Sequence, residues 1–283
     1  MKAPKEASTK RRTRIRIRRR FLLIVLVALI PTFFTSFVVG KSYSDPEKST
    51  EQDSTEKVET SIIQDKIQIE KEPSVEEKPL GKVVYLTFDD GPSKLTDQFL
   101  DVLREQDVRA TFFMQGSNLK KEHLQESAKR ATKEGHYVGA HSMTHERKTL
   151  YNDNQFVPEM NETLALIGDI TGTTPHLVRP PYGSAPGLKS EQIRNQIVEV
   201  GIKVWDWTID SKDWALKDNP AQIIKNIKSD TNADREVVLM HEKPQTLAAL
   251  PEIIAFYKEQ GYEFAVYEEA NHFVLNFQND VRL

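Results

Sequence analysis

Between residues 82 and 266, short apolar runs alternate with stretches of helical periodicity. Val83-Val84-Tyr85-Leu86-Thr87-Phe88 is β-branched and aromatic and leads into Asp89-Asp90-Gly91-Pro92, which predicts a buried strand running into a loop. Further strands are expected at 108–113, 137–140, 176–179, 204–209, 237–240 and 264–266. Helical spacing falls at 95–106, 119–134, 155–171, 189–200, 221–231 and 247–260, with Pro220 standing where its helix would begin. That makes about seven βα units without an apparent internal repeat, and such alternation implies an α/β fold with a parallel sheet, here closing toward a barrel.

Parallel βα folds gather their chemistry at the carboxyl ends of the strands, where the loops converge on one mouth. Asp89 and Asp90 follow the first expected strand, His141 the third, Arg179 the fourth, Asp210 and Asp213 the fifth and His241 the sixth. Ionisable residues scattered at random would not fall on one side of successive units.

The chain ahead of this region reads differently. Residues 2–20 carry ten Lys and Arg against one acidic residue, Glu6, and Phe21 to Val39 is an uncharged run of nineteen residues. At about 1.5 Å per residue that run can cross a hydrocarbon core of roughly 30 Å. The basic block beside it then orients the span N-in and C-out, which argues against a nucleic-acid partner for the same charges. The run is longer than a signal-peptide core and lacks a clear Ala-x-Ala, so an uncleaved anchor over 21–40 is expected, with a cleaved, secreted form as the alternative. Residues 41–79, rich in Glu, Lys, Ser, Thr and Gln, read as a disordered extracellular linker. The expected organisation is therefore 1–20 cytoplasmic, 21–40 transmembrane, 41–79 linker and 80–283 catalytic domain.

With no cysteine in the chain, any metal must be held by His and carboxylate. His141 and His145 stand at i and i+4 and would share one face if the segment were helical. In Thr87-Phe88-Asp89-Asp90-Gly91 the adjacent carboxylates diverge, so one can bind metal while the other faces water. Arg179-Pro180-Pro181-Tyr182-Gly183 is a stiff loop suited to aiming a guanidinium at a carboxylate. Trp205, Trp207 and Trp214 are the only tryptophans; the first two read as core and Trp214 as a pocket wall.

Five motifs in order resemble the NodB-type polysaccharide deacetylases, carbohydrate esterase family 4: Thr87-Phe88-Asp89-Asp90-Gly91, His141-Ser142-x-x-His145, Arg179-Pro180-Pro181-Tyr182-Gly183, Asp210-x-x-Asp213-Trp214 and Leu239-Met240-His241. The resemblance implies a distorted, incomplete (β/α) barrel in which Asp90, His141 and His145 hold one divalent metal ion, usually zinc, though other transition metals serve. It further implies Asp89 as general base toward the attacking water and His241 as general acid, with the Tyr182 N–H helping to stabilise the oxyanion. Arg179 would hold Asp89, with either Asp210 or Asp213 supporting the network, while Trp214 and Leu239 line a slot for the acetyl methyl. Glu242 stands after His241 where many members have Asp, and Glu146 follows His145 where Pro is frequent.

The function so implied is removal of N-acetyl groups from a cell-wall glycan, first of all N-acetylglucosamine of peptidoglycan. N-acetylmuramic acid, a chitooligosaccharide, a secondary wall polymer and acetylxylan are alternative substrates, and an inactive glycan-binding wall protein is the rival of another class. The expected partners are the glycan and the membrane through residues 21–40, with no nucleic acid and no obligate protein partner.

Overall fold

β1 (Val83–Gly91) alternates along its length in the way a strand between two cores must. Val84, Leu86 and Phe88 point outward into the layer beneath the helices, while Tyr85, Thr87 and Asp89 point to the inside of the curl. The computed structural model describes residues 81–283, and the segments expected at 1–20, 21–40 and 41–79 lie outside the described residues. Among the described residues, no helix is long and apolar enough to cross a membrane.

β1 is followed by β2 (Thr111–Met114), β3 (Tyr137–Ala140), β4 (Leu177–Val178), β5 (Lys203–Val204), β6 (Ile209–Asp210), β7 (Arg235–His241) and β8 (Glu263–Ala265). Their order is β5-β4-β3-β2-β1-β7-β6, and every pairing is parallel. β7 runs beside β1 from Val83 to Asp89, so β2 and β8 share the other edge, β8 at Val83–Tyr85 and β2 from Thr87 on. The result is the curled parallel half-barrel expected from the sequence.

The helices are α1 (Thr96–Glu105), the short α2 (Gly116–Leu119), α3 (Glu122–Lys133), α4 (Phe156–Thr171), the single turn α5 (Ser184–Gly187), α6 (Glu191–Glu199), α7 (Pro220–Asp230) and α8 (Pro244–Glu259). They cover the outer face of the sheet, burying Phe99, Leu100, Leu103, Ile223, Ile227 and Ile253 against Val84, Leu86, Phe88 and Met240. Each such side chain contributes roughly 1.5–3 kcal/mol by leaving water. Pro220 occupies the first turn of α7, as the sequence predicts, with Asn219 capping the Gln222 N–H at 3.2 Å.

The strand expected at 204–209 is two strands at opposite edges of the sheet. β5 ends at Val204 and β6 begins at Ile209, and Asp206 stands between them. Its carboxylate accepts Ser184 N–H at 2.8 Å, Ser184 Oγ at 2.5 Å and Phe277 N–H at 2.6 Å, so a buried polar anchor turns the chain across the open side of the curl. The gap is filled by a segment for which the sequence offered no regular pattern. Tyr267, Phe273 and Leu275 pack with Tyr85 and Trp205, and Asp206 N–H donates to the Leu275 carbonyl at 2.7 Å. This aromatic plug closes the barrel from below, leaving its upper mouth for chemistry.

Candidate active site

Above the plug lies Arg179, at the end of β4 and fully buried, with its guanidinium 4.2 Å from the centre of the Phe113 ring. Nη1 donates to Asp89 Oδ1 at 2.9 Å and to Thr87 Oγ1 at 2.6 Å, Nη2 to the Asp206 carbonyl at 2.8 Å, and Nε to the Trp205 carbonyl at 3.3 Å. Thr87 Oγ1 in turn donates a hydrogen bond to the Val238 carbonyl at 2.6 Å. A planar fork fixed at each nitrogen cannot swing, so the Asp89 carboxylate is held against it. Asp89 keeps Oδ2 directed to the mouth, 3.7 Å from His141 Nε2. The expected Arg179–Asp89 pair is present, and neither Asp210 nor Asp213 hydrogen-bonds Arg179; its other acceptors are Thr87 Oγ1 and the main chain of Trp205 and Asp206.

Asp90 turns the other way. The ladder slips between Asp89 and Gly91, and Asp90 takes φ 69°, a left-handed conformation that Asp tolerates better than most residues. Its carboxylate thereby faces His141 and His145, and one donor atom from each of the three side chains falls within 4.8 Å of the others. Asp90 Oδ1 lies 3.8 Å from His141 Nε2 and 3.6 Å from His145 Nε2. An ion bound at about 2.0–2.2 Å from each fits between donors so spaced. His141 Nδ1 sits 2.8 Å from the Arg179 carbonyl, which can only accept, so Nδ1 carries the proton and Nε2 offers its lone pair to the centre.

Charge agrees with that arrangement. Burial disfavours the Asp90 carboxylate, but His141, His241, His145 and Lys243 outweigh it and hold its pKa below the ordinary value. Burial, then His141, pushes the His145 pKa down, favouring the neutral imidazole that a metal requires.

The two histidines do not meet on a helix. Ser142 and His145 have φ of 63° and 60°, and the segment is a tight loop in which Ser142 Oγ accepts His145 N–H at 2.9 Å. The loop is fixed from outside by Glu159 of α4. Glu159 Oε2 accepts the N–H groups of Met143 at 3.0 Å and Thr144 at 2.8 Å, and Oε1 accepts Thr144 Oγ1 at 2.9 Å. Sequence reasoning missed this residue, although an acidic side chain on the apolar stripe of Phe156, Met160 and Ile167 is the signal that could have found it.

On the opposite wall, His241 ends β7. Its Nδ1 is 2.7 Å from Asp213 Oδ1, its N–H donates to Asp213 Oδ2 at 2.7 Å, and Thr246 Oγ1 donates to the same oxygen at 2.5 Å. Burial works against the His241 imidazolium, but the Asp213 hydrogen bond and charge, with Asp89 and Asp90, prevail and raise its pKa. Asp213 thus orients one ring nitrogen while the ring lines the cavity, an arrangement that can present a proton there. Of the two acids between which the sequence could not choose, Asp213 joins the His241 network; Asp210 accepts Lys212 N–H at 2.8 Å and lines the mouth.

These groups converge on one cavity of about 470 Å³ lined by Asp89, Asp90, His141, His145, His241 and the walls Pro180, Tyr182, Trp207, Trp214 and Leu239. Trp214 is 59% exposed and Leu239 buried, giving a wet rim and an apolar floor. Trp207, expected in the core, is a wall instead, edge-on to Phe277 at 5.0 Å. Tyr182 stands at φ 67° with its hydroxyl on the His145 carbonyl at 3.0 Å, bracing the metal loop across the mouth.

Glu242 is buried below the loop after β1, where Oε2 accepts Ser93 N–H at 3.1 Å, Ser93 Oγ at 2.6 Å and Thr96 Oγ1 at 2.5 Å. A Cβ at Gly91 would collide with Glu242 Oε1, so a larger residue there would displace the Glu242 carboxylate. The residue at 242 therefore ties down the Ser93–Thr96 turn that follows Asp89 and Asp90. Glu146 is exposed, and its side chain accepts only Thr149 Oγ1, at 3.3 Å.

Known proteins share both sequence and fold. Residues 76–205 match the family model described as polysaccharide deacetylase. The peptidoglycan-N-acetylglucosamine deacetylase of Bacillus cereus is 43% identical over 269 residues, 93% of this chain and 97% of the relative. The peptidoglycan-N-acetylmuramic acid deacetylase PdaC of Bacillus subtilis is 33% identical over 80% of this chain and 45% of the relative. The crystal structure of the polysaccharide deacetylase Bc1974 from Bacillus cereus superposes with a TM-score of 0.69 at 49% identity, covering 71% of this chain and all of that one. With its barrel, its Asp-His-His cluster and these likenesses together, the chain belongs to the polysaccharide deacetylases and is an amide hydrolase.

Proposed function

We propose that this protein removes the N-acetyl group from N-acetylglucosamine residues of peptidoglycan, and that Asp90, His141 and His145 hold a divalent metal, zinc in the first instance. The observation that carries the reading is convergence: Asp89 held by Arg179, His241 held by Asp213 and the three donors of Asp90, His141 and His145 share one cavity. The name and near-complete coverage of the Bacillus cereus relative support the substrate.

When bound, a divalent ion supplies Lewis acidity toward water and the acetyl carbonyl. Asp89 Oδ2 takes a proton from the attacking water, and Arg179 keeps the carboxylate aimed. The Tyr182 N–H, presented by the left-handed turn, donates to the developing oxyanion. His241 Nε2 then gives its proton to the departing amine, Asp213 sustaining the imidazolium until transfer. Trp214 and Leu239 receive the acetyl methyl.

The rest of the chain gives this chemistry its place. Residues 21–40 anchor the protein in the cell membrane with 1–20 in the cytoplasm, and 41–79 tether the catalytic domain, 80–283, outside against the wall. The ten basic residues before the apolar run support that orientation. Acetate release from peptidoglycan, an N-acetylglucosamine oligomer and acetylxylan, with and without chelator, tests the reading. Peptidoglycan should be the best substrate and chelator should abolish release; a clear preference for acetylxylan would overturn it.

A further inference from the structure

Trp214 borders two cavities. One is the catalytic cavity; the other, of about 440 Å³, shares Trp214 as a wall. Three lysines from three different loops line it: Lys94 after β1, Lys217 after β6 and Lys243 after β7, two residues beyond His241. None of the three has a carboxylate within 4 Å or a side-chain hydrogen-bond acceptor among the described residues, whereas Lys120, Lys129, Lys148 and Lys228 are each paired. Two acids share the wall, but Glu242 directs Oε2 inward to Ser93 and Thr96, which leaves Asp218 as the one carboxylate presented beside three ammonium groups. Lys94 and Lys217, with Lys243 shared toward Asp90, favour an anion in this concavity, and the Trp214 indole, which lines both cavities, offers a sugar an apolar platform.

We propose that this second cavity binds a carboxylate carried by the sugar next to the one that is deacetylated. The inference rests on the peptidoglycan reading, in which the neighbouring sugar bears a lactyl ether that ends in its own carboxylate or continues into an acidic peptide. Homopolymers of N-acetylglucosamine lack such a group. The lysines would thus select wall glycan over neutral glycan and set the register that brings an N-acetyl group to the metal ligands.

The test is kcat/KM for acetate release from three probes: the N-acetylglucosamine tetramer, a peptide-free tetrasaccharide alternating N-acetylglucosamine and N-acetylmuramic acid, and its peptide-bearing counterpart. The variants are Lys94→Ala/Lys217→Ala and Lys217→Glu, all at exposed positions, with circular dichroism confirming the fold. The ratio of acidic to neutral tetrasaccharide should fall about five- to tenfold in the double variant, further in the charge reversal, and should fall with added salt in the parent. The larger loss between the two acidic probes identifies which carboxylate is bound. An unchanged ratio, or parallel losses on all three probes, would overturn the inference while leaving the peptidoglycan reading intact. No release by the parent from either acidic probe, with release from the neutral one, would overturn both.

Discussion

Asp89 and His241 are register partners in the β1–β7 ladder, Cα opposite Cα at the carboxyl ends of two parallel strands. Both side chains point into the curl because strand residues of one parity share a face. The proposed base and acid are therefore spaced by main-chain hydrogen bonds, while the metal donors come from a bulge and a loop on the same rim. Each member of the pair is then oriented by its own partner, Arg179 for Asp89 and Asp213 for His241.

The Asp213 partnership makes a pH prediction. His241 titrates above the ordinary histidine value because Asp213, with Asp89 and Asp90, outweighs its burial. In Asp213→Asn the principal opposing contribution is lost and burial is left to lower the pKa. The alkaline limb of kcat/KM, where the acid loses its proton, should move to lower pH, with kcat down by about 10²- to 10⁴-fold. A pH–rate profile with an unmoved alkaline limb would remove His241 from the acid role.

Arg179 is a buried charge with four acceptors around it. Arg179→Ala leaves Asp89 buried without its cation and should lower stability by about 3–5 kcal/mol. Urea unfolding measures this directly, and a change below about 1 kcal/mol would mean that the pair contributes little to the fold.

Glu159 touches no proposed metal donor, yet it bonds two N–H groups between His141 and His145. Glu159→Gln replaces one of two accepting oxygens with an amide nitrogen that can only donate, and zinc affinity by competition with a chelator dye should weaken about 10- to 100-fold while the thermal midpoint of the metal-free protein changes little. Affinity equal to the parent's would show that the loop keeps its shape unaided.

Acid sensitivity should trace in part to His136, far from the catalytic cavity. Its Nδ1 accepts Ala110 N–H at 3.0 Å, and burial, with Arg109 and Arg130 adding to it, brings its pKa down to about 4 from an ordinary value near 6.5. The folded state thus resists a proton that the unfolded chain accepts. The neutral ring's contribution is complete above about pH 6.5 and is lost as pH falls toward 4, by at most about 3 kcal/mol. His136→Gln retains an acceptor but cannot titrate, so its urea midpoint should fall less between pH 7.5 and 4.5 than the parent's. Identical falls would contradict the assignment.

The polar residues at strand ends were legible because period-2 alternation and the βα rhythm are written in the side chains themselves. Strand-end placement brought Asp89, Asp90 and His141 to one mouth, and the family resemblance joined Asp90 to His141 and His145 as donors to one ion, but the way the three meet was not legible. A helix at 141–145 would have satisfied the i,i+4 spacing, whereas the observed loop depends on Glu159, which approaches from another element. The division of 204–209 was hidden for a similar reason. Trp205 and Ile209 look like one apolar run, and only the buried bonds of Asp206 to Ser184 and Phe277 show why the chain must cross between sheet edges there. Trp207 then becomes a cavity wall through its place in that crossing, which composition does not encode.

The division of labour between Asp89 and Asp90 is the centre of the proposed chemistry, and one comparison tests it most directly: acetate release from peptidoglycan fragments by the parent and by Asp89→Asn, at metal contents matched by elemental analysis. Asp89→Asn should bind the metal as the parent does and lose about 10²- to 10⁴-fold in kcat. Full turnover by the metal-loaded variant would contradict Asp89 as the base, and loss of the metal from it would mean that Asp89, held by Arg179, is itself a ligand.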